Sequence, residues 1–131
     1  MKIRSGPVSA RGHKGMFSYA NASVVCGEPR FHDEYRDVLL NPRLIAEVLS
    51  PSTELFDRGE KFFRYSVWLD RLTDYLLIST SAPRIEHYAR HANRSWIYTV
   101  MEDMEDSLEL PSLGCRLALA KIFERVEFEP A

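Results

Sequence analysis

Residues 43–62 read "RLIAEVLSPSTELFDRGEKF", and the fold turns on how this stretch divides. Leu44, Ile45, Ala46, Val48 and Leu49 form a short apolar run, the length and composition of a strand buried on both faces. Ser50, Pro51 and Ser52 stop it, because a proline cannot donate to a sheet ladder and the serines favour turns. One carboxylate, Glu47, sits inside the run. Burying it is costly unless a counter-charge or a metal ion lies opposite. After the break, Asp57-Arg58-Gly59-Glu60 has the form of a capping box, D-x-x-E, which predicts a helix from Asp57 through about Leu69. Glu60 and Arg64 are placed for an i,i+4 pair on its surface. Phe62, Phe63, Tyr65, Val67, Trp68 and Leu69 give this helix more apolar bulk than an exposed element needs, so it should pack on a sheet.

Working outward, Tyr75–Ile78, Arg84–Tyr88 and Ser95–Val100 read as successive strands separated by "STSAP" and "HANR". Upstream, Ser23–Cys26 reads as a short strand ended by Gly27, residues 5–15 as a loop or hairpin tip, and the polar stretch 27–42 as a surface excursion. Downstream, "SLELPSLGCRLAL" carries two apolar pieces broken by Pro111 and Gly114, and "LALAKIFERV" closes as a short helix. Strands, one helix, then strand after strand predict an α+β fold with a mixed sheet, in a single domain spanning 1–131.

The composition excludes several classes. With 131 residues, 45% apolar and 27% charged, the chain is an ordinary globular sequence. Its net charge of −2 gives no basic footprint for nucleic acid, although a local groove can be basic on an acidic protein. No apolar run approaches the ~18 residues of a membrane span, and the N-terminus has no apolar secretory core, so a cytoplasmic protein is expected. Cys26 and Cys115 match no metal-binding spacing. His87 and His91 are four apart but lack the HExxH glutamate, and read as surface residues near a turn. Arg84, Arg90 and Arg94 suit either phosphate contact or a solvated strand. Ser50, Ser52 and Thr53 suit phosphate contact or a turn, and Trp68 and Trp96 read as core or half-buried.

"NPRLIAEVLSPSTELFDRGEKFFRY", "DYLLIST", "PRIEHYAR" and "SLELPSLGCRLALAKIFERVEF" closely resemble the Uma-type family (its number-two class) of restriction-endonuclease-like proteins, in the PD-(D/E)XK nuclease superfamily. The resemblance runs from about Ser18 to the C-terminus. It implies a restriction-endonuclease-like mixed sheet flanked by helices, a Mg²⁺-dependent DNA endonuclease activity, and an Asp and a Glu on neighbouring strands facing one metal ion. Glu47 falls at the Glu position, and the Val48 carbonyl would be a further oxygen ligand. The lysine of E-x-K would fall at Leu49, so Lys61, reaching in from the helix, is its candidate replacement. On the residues alone, Glu47 could equally be an ion-paired strand residue, and Lys61 a solvated helix lysine paired with Asp57.

Two departures qualify the expected activity. The family's strand motif resembles "YPDVSVVCG", whereas this chain reads "YANASVVCG", so Asn21 stands at the Asp position. A neutral amide oxygen should hold Mg²⁺ less well than a carboxylate. Asp33, Glu34 and Asp37 lie in the excursion and cannot be placed from sequence. The family also carries a helical segment ahead of this strand, so the chain reads as truncated, with its first helix missing and an apolar sheet face to cover by homo-oligomerisation. The expectation is therefore a metal-dependent DNA endonuclease impaired in this copy. The alternatives are a catalytically inactive remnant acting as a binding module, or an interaction module using an uncovered sheet face. No membrane partner is expected.

Overall fold

The computed structural model describes residues 2–9, 17–25, 42–49, 54–92 and 95–124. Strands β1 (Lys2–Ser9), β2 (Phe17–Val25) and β3 (Leu44–Val48) are followed by helices α1 (Glu54–Arg58) and α2 (Glu60–Trp68). Strands β4 (Asp74–Ile78), β5 (Ile85–Arg90) and β6 (Trp96–Met101) come next. The described chain closes with β7 (Ser107–Leu110), a 3₁₀ turn (Pro111–Leu113), β8 (Cys115–Ala118) and α3 (Leu119–Ile122). β1 to β6 form one sheet in chain order, and β7 and β8 form a separate hairpin. Only the β3–β4 pair is parallel among these neighbours; the other pairs are antiparallel. Parallel neighbours require a crossover, and α1–α2 supplies it. The fold is α+β with a mixed sheet, as the order of elements implied.

The continuous apolar run of β3 is explained by burial on both sides. Ile45 packs with Tyr75 and Leu77 of β4 under Tyr65 and Leu69 of the α2 segment. Leu44 and Ala46 point the other way, into a second core with Leu76, Ile85, Leu108 and Leu119. Helix α2 covers the first face. The second is covered by the β7–β8 hairpin and α3 rather than by a long helix. Gly114 turns that hairpin at φ 64°, a left-handed conformation that glycine adopts without steric cost. Exposed apolar side chains include Leu55, Phe63 and Val67 on the helices, and Ile97, Tyr98 and Val100 on β6.

Several local expectations are corrected. The N-terminal strand is longer than Ser23–Cys26: β2 starts at Phe17 and pairs with β1, from Lys2 opposite Val25 to Ser9 opposite Phe17, with an irregularity between Arg4 and Gly6. Residues 5–9 are therefore strand, and residues 10–15 lie outside the described residues. Pairing overrides the weak strand preference of this Ser-, Gly- and Asn-containing sequence. The helix begins at Glu54, so Asp57 lies inside α1 and is no N-cap. Gly59 stands at the junction, and α2 has no side-chain cap. Arg90 is no phosphate contact either. Its Nε donates to the Leu72 carbonyl at 2.6 Å and its Nη2 to those of Ser66 and Leu69 at 3.2 Å. It thereby satisfies carbonyls at and beyond the end of α2, with its guanidinium stacked 4.4 Å over Trp96. Trp96 is half-buried against the first core, as read.

His87 is also buried rather than at the surface. The register of β5 places it on the second face, and its Nε2 lies 2.7 Å from Asp74 Oδ1. Asp74 Oδ2 accepts from Ser112 Oγ at 2.7 Å, and Thr73 Oγ1 lies equally close. Burial pushes the Asp74 carboxyl up, but these hydrogen bonds outweigh it and leave the group below its usual range. His91 is exposed, as expected.

Candidate active site

Glu47 occupies the fourth position of β3, on the face that α2 covers, and is 1% exposed. Lys61, in the first turn of α2, is 6% exposed and sets its Nζ 2.9 Å from Glu47 Oε1. The solvated reading of Lys61 therefore fails, and the buried carboxylate has an ammonium opposite it. Asp57, one helical turn earlier and 4% exposed, places its Oδ1 3.6 Å from the same Nζ. Its position is anchored from below: the hydroxyl of Tyr75 on β4 donates to the Asp57 carbonyl at 2.8 Å. Burial, then the nearby charges of Glu47 and Asp57, push the Tyr75 phenol far up, so it remains a donor.

A second polar group lies on the same face. Leu77 of β4 is level with Glu47 on one side and Glu86 of β5 on the other, so Glu47 and Glu86 belong to one row across the sheet. Arg58 Nη1 donates to Glu86 Oε1 at 2.5 Å, and the Tyr98 hydroxyl donates to the same oxygen. Burial raises the Glu86 carboxyl, but these two donors and the charges of Arg58 and Arg84 hold it below the usual range. Its hydrogen bond to Glu86 is the main cause that pushes the Tyr98 phenol up to about 12.

The other expected site residues are distributed as follows. Asn21 lies on β2, next to Ala22, where the pairing of β2 with β3 ends opposite Ala46, the residue before Glu47. Its side chain lies outside the described structure. Val48 ends β3 directly after Glu47. Ser50, Ser52, Thr53, Asp33, Glu34, Asp37 and Arg94 lie outside the described residues. Sequence reasoning read Asp57 as a helix cap and as a solvated partner of Lys61, and missed that it is buried beside Glu47. The i,i+4 spacing of Asp57 and Lys61, already read as a pair, puts both on one helix face, so burying Lys61 buries Asp57 with it. It also missed Glu86, although alternation with Tyr88 places the two on one face of β5.

Among the described residues no group of three or more His, Cys, Asp or Glu side chains gathers at one point. The donor chemistry nonetheless suits a hard divalent cation. Glu47 and Asp57 are buried carboxylates meeting one ammonium, and Mg²⁺ is held by one or two carboxylates completed by water.

The architecture has a solved counterpart. It superposes with a TM-score of 0.67 on the crystal structure of a protein from Anabaena variabilis described as "a putative nuclease belonging to DUF820". The match covers 93% of this chain and 68% of that one at 14% identity, which shows a shared fold. Residues 12–120 match the Uma2 family, described as "Putative restriction endonuclease", and the chain belongs to that family. It is 40% identical over 83 residues to the uncharacterized protein sll1609 of Synechocystis, covering 63% of this chain and 46% of that protein. It is 35% identical over 112 residues to slr1290 of the same organism, covering 86% and 57%. The chain thus spans about half the length of the curated relatives it matches. No described helix is long and apolar enough to cross a membrane.

Proposed function

We propose that this chain carries the site of a Mg²⁺-dependent DNA endonuclease, working at reduced rate. The observation that carries the reading is the buried Glu47–Lys61 pair, with its two charges 2.9 Å apart beneath a helix. In a family described as "Putative restriction endonuclease", a buried strand carboxylate beside a lysine is the chemistry phosphodiester hydrolysis needs. Glu47 and the Val48 carbonyl would hold Mg²⁺, together with the Asn21 amide oxygen. When bound, the ion supplies a Lewis acid and lowers the pKa of a bound water. Lys61 donates towards the attacking water or a phosphate oxygen, stabilising charge that develops in the transition state. Glu47 fixes where that ammonium rests. Asn21 brings no charge to its place, which is why the rate is expected to be low.

Plasmid nicking with Mg²⁺ tests this. Weak nicking is expected, lost with EDTA and in Glu47→Ala, and raised at least about tenfold in Asn21→Asp. Nicking that survives Glu47→Ala would overturn the assignment. A second reading, an inactive domain that only binds DNA, is favoured by Asn21 itself. It predicts retarded DNA in a gel and intact plasmid in both the native protein and Asn21→Asp.

A further inference from the structure

We infer that Asp57 supplies the second carboxylate of the cation site, so that the acid missing from β2 is replaced from helix α1. The inference rests on the cation site proposed above, and concerns which residues of this chain form it. At residue 21 the chain offers an amide where the strand motif it resembles carries an aspartate. Asp57 offers a charged oxygen on the same face as Glu47. The two carboxylates touch one ammonium, at 2.9 Å and 3.6 Å, so they are no more than two contact lengths apart.

The position of Asp57 is built rather than incidental. A helix aspartate facing water carries no desolvation penalty, whereas a buried one carries a large penalty that its surroundings must offset. Here the residue is 4% exposed, its carbonyl is tied to the Tyr75 hydroxyl, and the Gly59 junction follows directly. A Cβ at Gly59 would meet the Leu55 carbonyl at 3.3 Å, so the close helix turn there also favours glycine. Asp57 and Lys61 then present to the sheet from consecutive turns, one on each helix segment. A divalent cation seated by Glu47 and Asp57 competes with the Lys61 ammonium for the same oxygens. The lysine is thus both the counter-ion shared by the two carboxylates and the group that must yield when the cation enters.

The test is calorimetric titration of MgCl₂ and MnCl₂ into the protein without DNA. Expected results are binding by the native chain and at least about tenfold weaker binding in both Asp57→Asn and Glu47→Gln. Asp57→Glu should retain binding, and Lys61→Met, which removes the competitor, should tighten it. Unchanged affinity in Asp57→Asn, or no binding by the native chain, overturns the inference. Should Asp57→Asn fail to fold, Lys61→Met is compared with Lys61→Met/Asp57→Asn; equal affinities again overturn it. Plasmid assays on the same proteins separate the two proposals. Cation binding that needs Asp57, with DNA left intact, sinks the nuclease reading alone. Cleavage that needs Glu47, with cation affinity indifferent to Asp57, sinks this inference alone.

Discussion

At the scale of single residues, the Glu47–Lys61 pair makes a prediction about stability that is independent of catalysis. Removing one member of a buried pair leaves an uncompensated charge, which costs about 3–5 kcal/mol. Lys61→Met should lose about that much in urea unfolding in cation-free buffer, and adding Glu47→Leu should recover a large part of it. A single Lys61→Met with native stability would mean that the pair is solvated, contrary to its burial. Glu47 was legible in the sequence because a lone charge stands out in an apolar strand. Lys61 was legible through the family resemblance alone, since a helix lysine four residues from an aspartate is ordinarily a surface pair. Asp57 was misread because D-x-x-E spells a cap; whether that aspartate starts a helix or lies inside one depends on where the preceding turn begins, and no residue type fixes that. His87 was misread for a similar reason: its partner, Asp74, is thirteen residues away and meets it only when β4 and β5 pair.

At the scale of elements, Asp74 fastens the second face. It joins β4 to His87 of β5 and to Ser112 in the turn of the β7–β8 hairpin. Its folded pKa is lowered, so at acid pH the unfolded chain binds the proton more tightly. The stability it contributes is complete above the ordinary carboxylate range and disappears as pH falls through the lower folded value. Urea midpoints measured between about pH 5 and about pH 2 should fall, and Asp74→Asn should flatten that fall; an equal slope in the variant would show that other carboxylates carry it. Gly114 gives a second check on the hairpin. Nothing lies within 4 Å of a Cβ built there, so Gly114→Ala meets only the left-handed backbone and should cost about 1–2 kcal/mol. Pro111 and Gly114 made this hairpin readable from sequence. The β1–β2 hairpin was hidden because its strands hold together by pairing rather than by an apolar pattern.

At the scale of the whole molecule, the six-stranded sheet is covered on both faces around β3, β4 and β5. The sequence reading captured the mixed sheet and the crossover helix, because a parallel pair demands both an apolar strand and a connection long enough to return. It expected a missing first helix to leave an apolar face for self-association, whereas around β3 to β5 the second face is covered by the β7–β8 hairpin and α3, with Leu108, Leu110 and Leu119 packed inward. Self-association is a proposal still to be tested. A molecular mass from light scattering that stays at one chain over a range of concentrations would remove it.

Strand β6 lies at one margin of the described sheet and carries no charged residue from Trp96 to Met101. It has neither proline nor glycine, and Ile97, Tyr98 and Val100 are exposed. Six uncharged residues of high strand propensity on an open ladder are a template for fibril growth, against which natural margins usually set a lysine. On warming or prolonged storage, thioflavin-positive aggregates should therefore seed from this segment. Thr99→Lys, on the side of β6 away from Tyr98, should lengthen the lag phase several-fold without altering cation affinity. An unchanged lag would place the seed elsewhere in the chain.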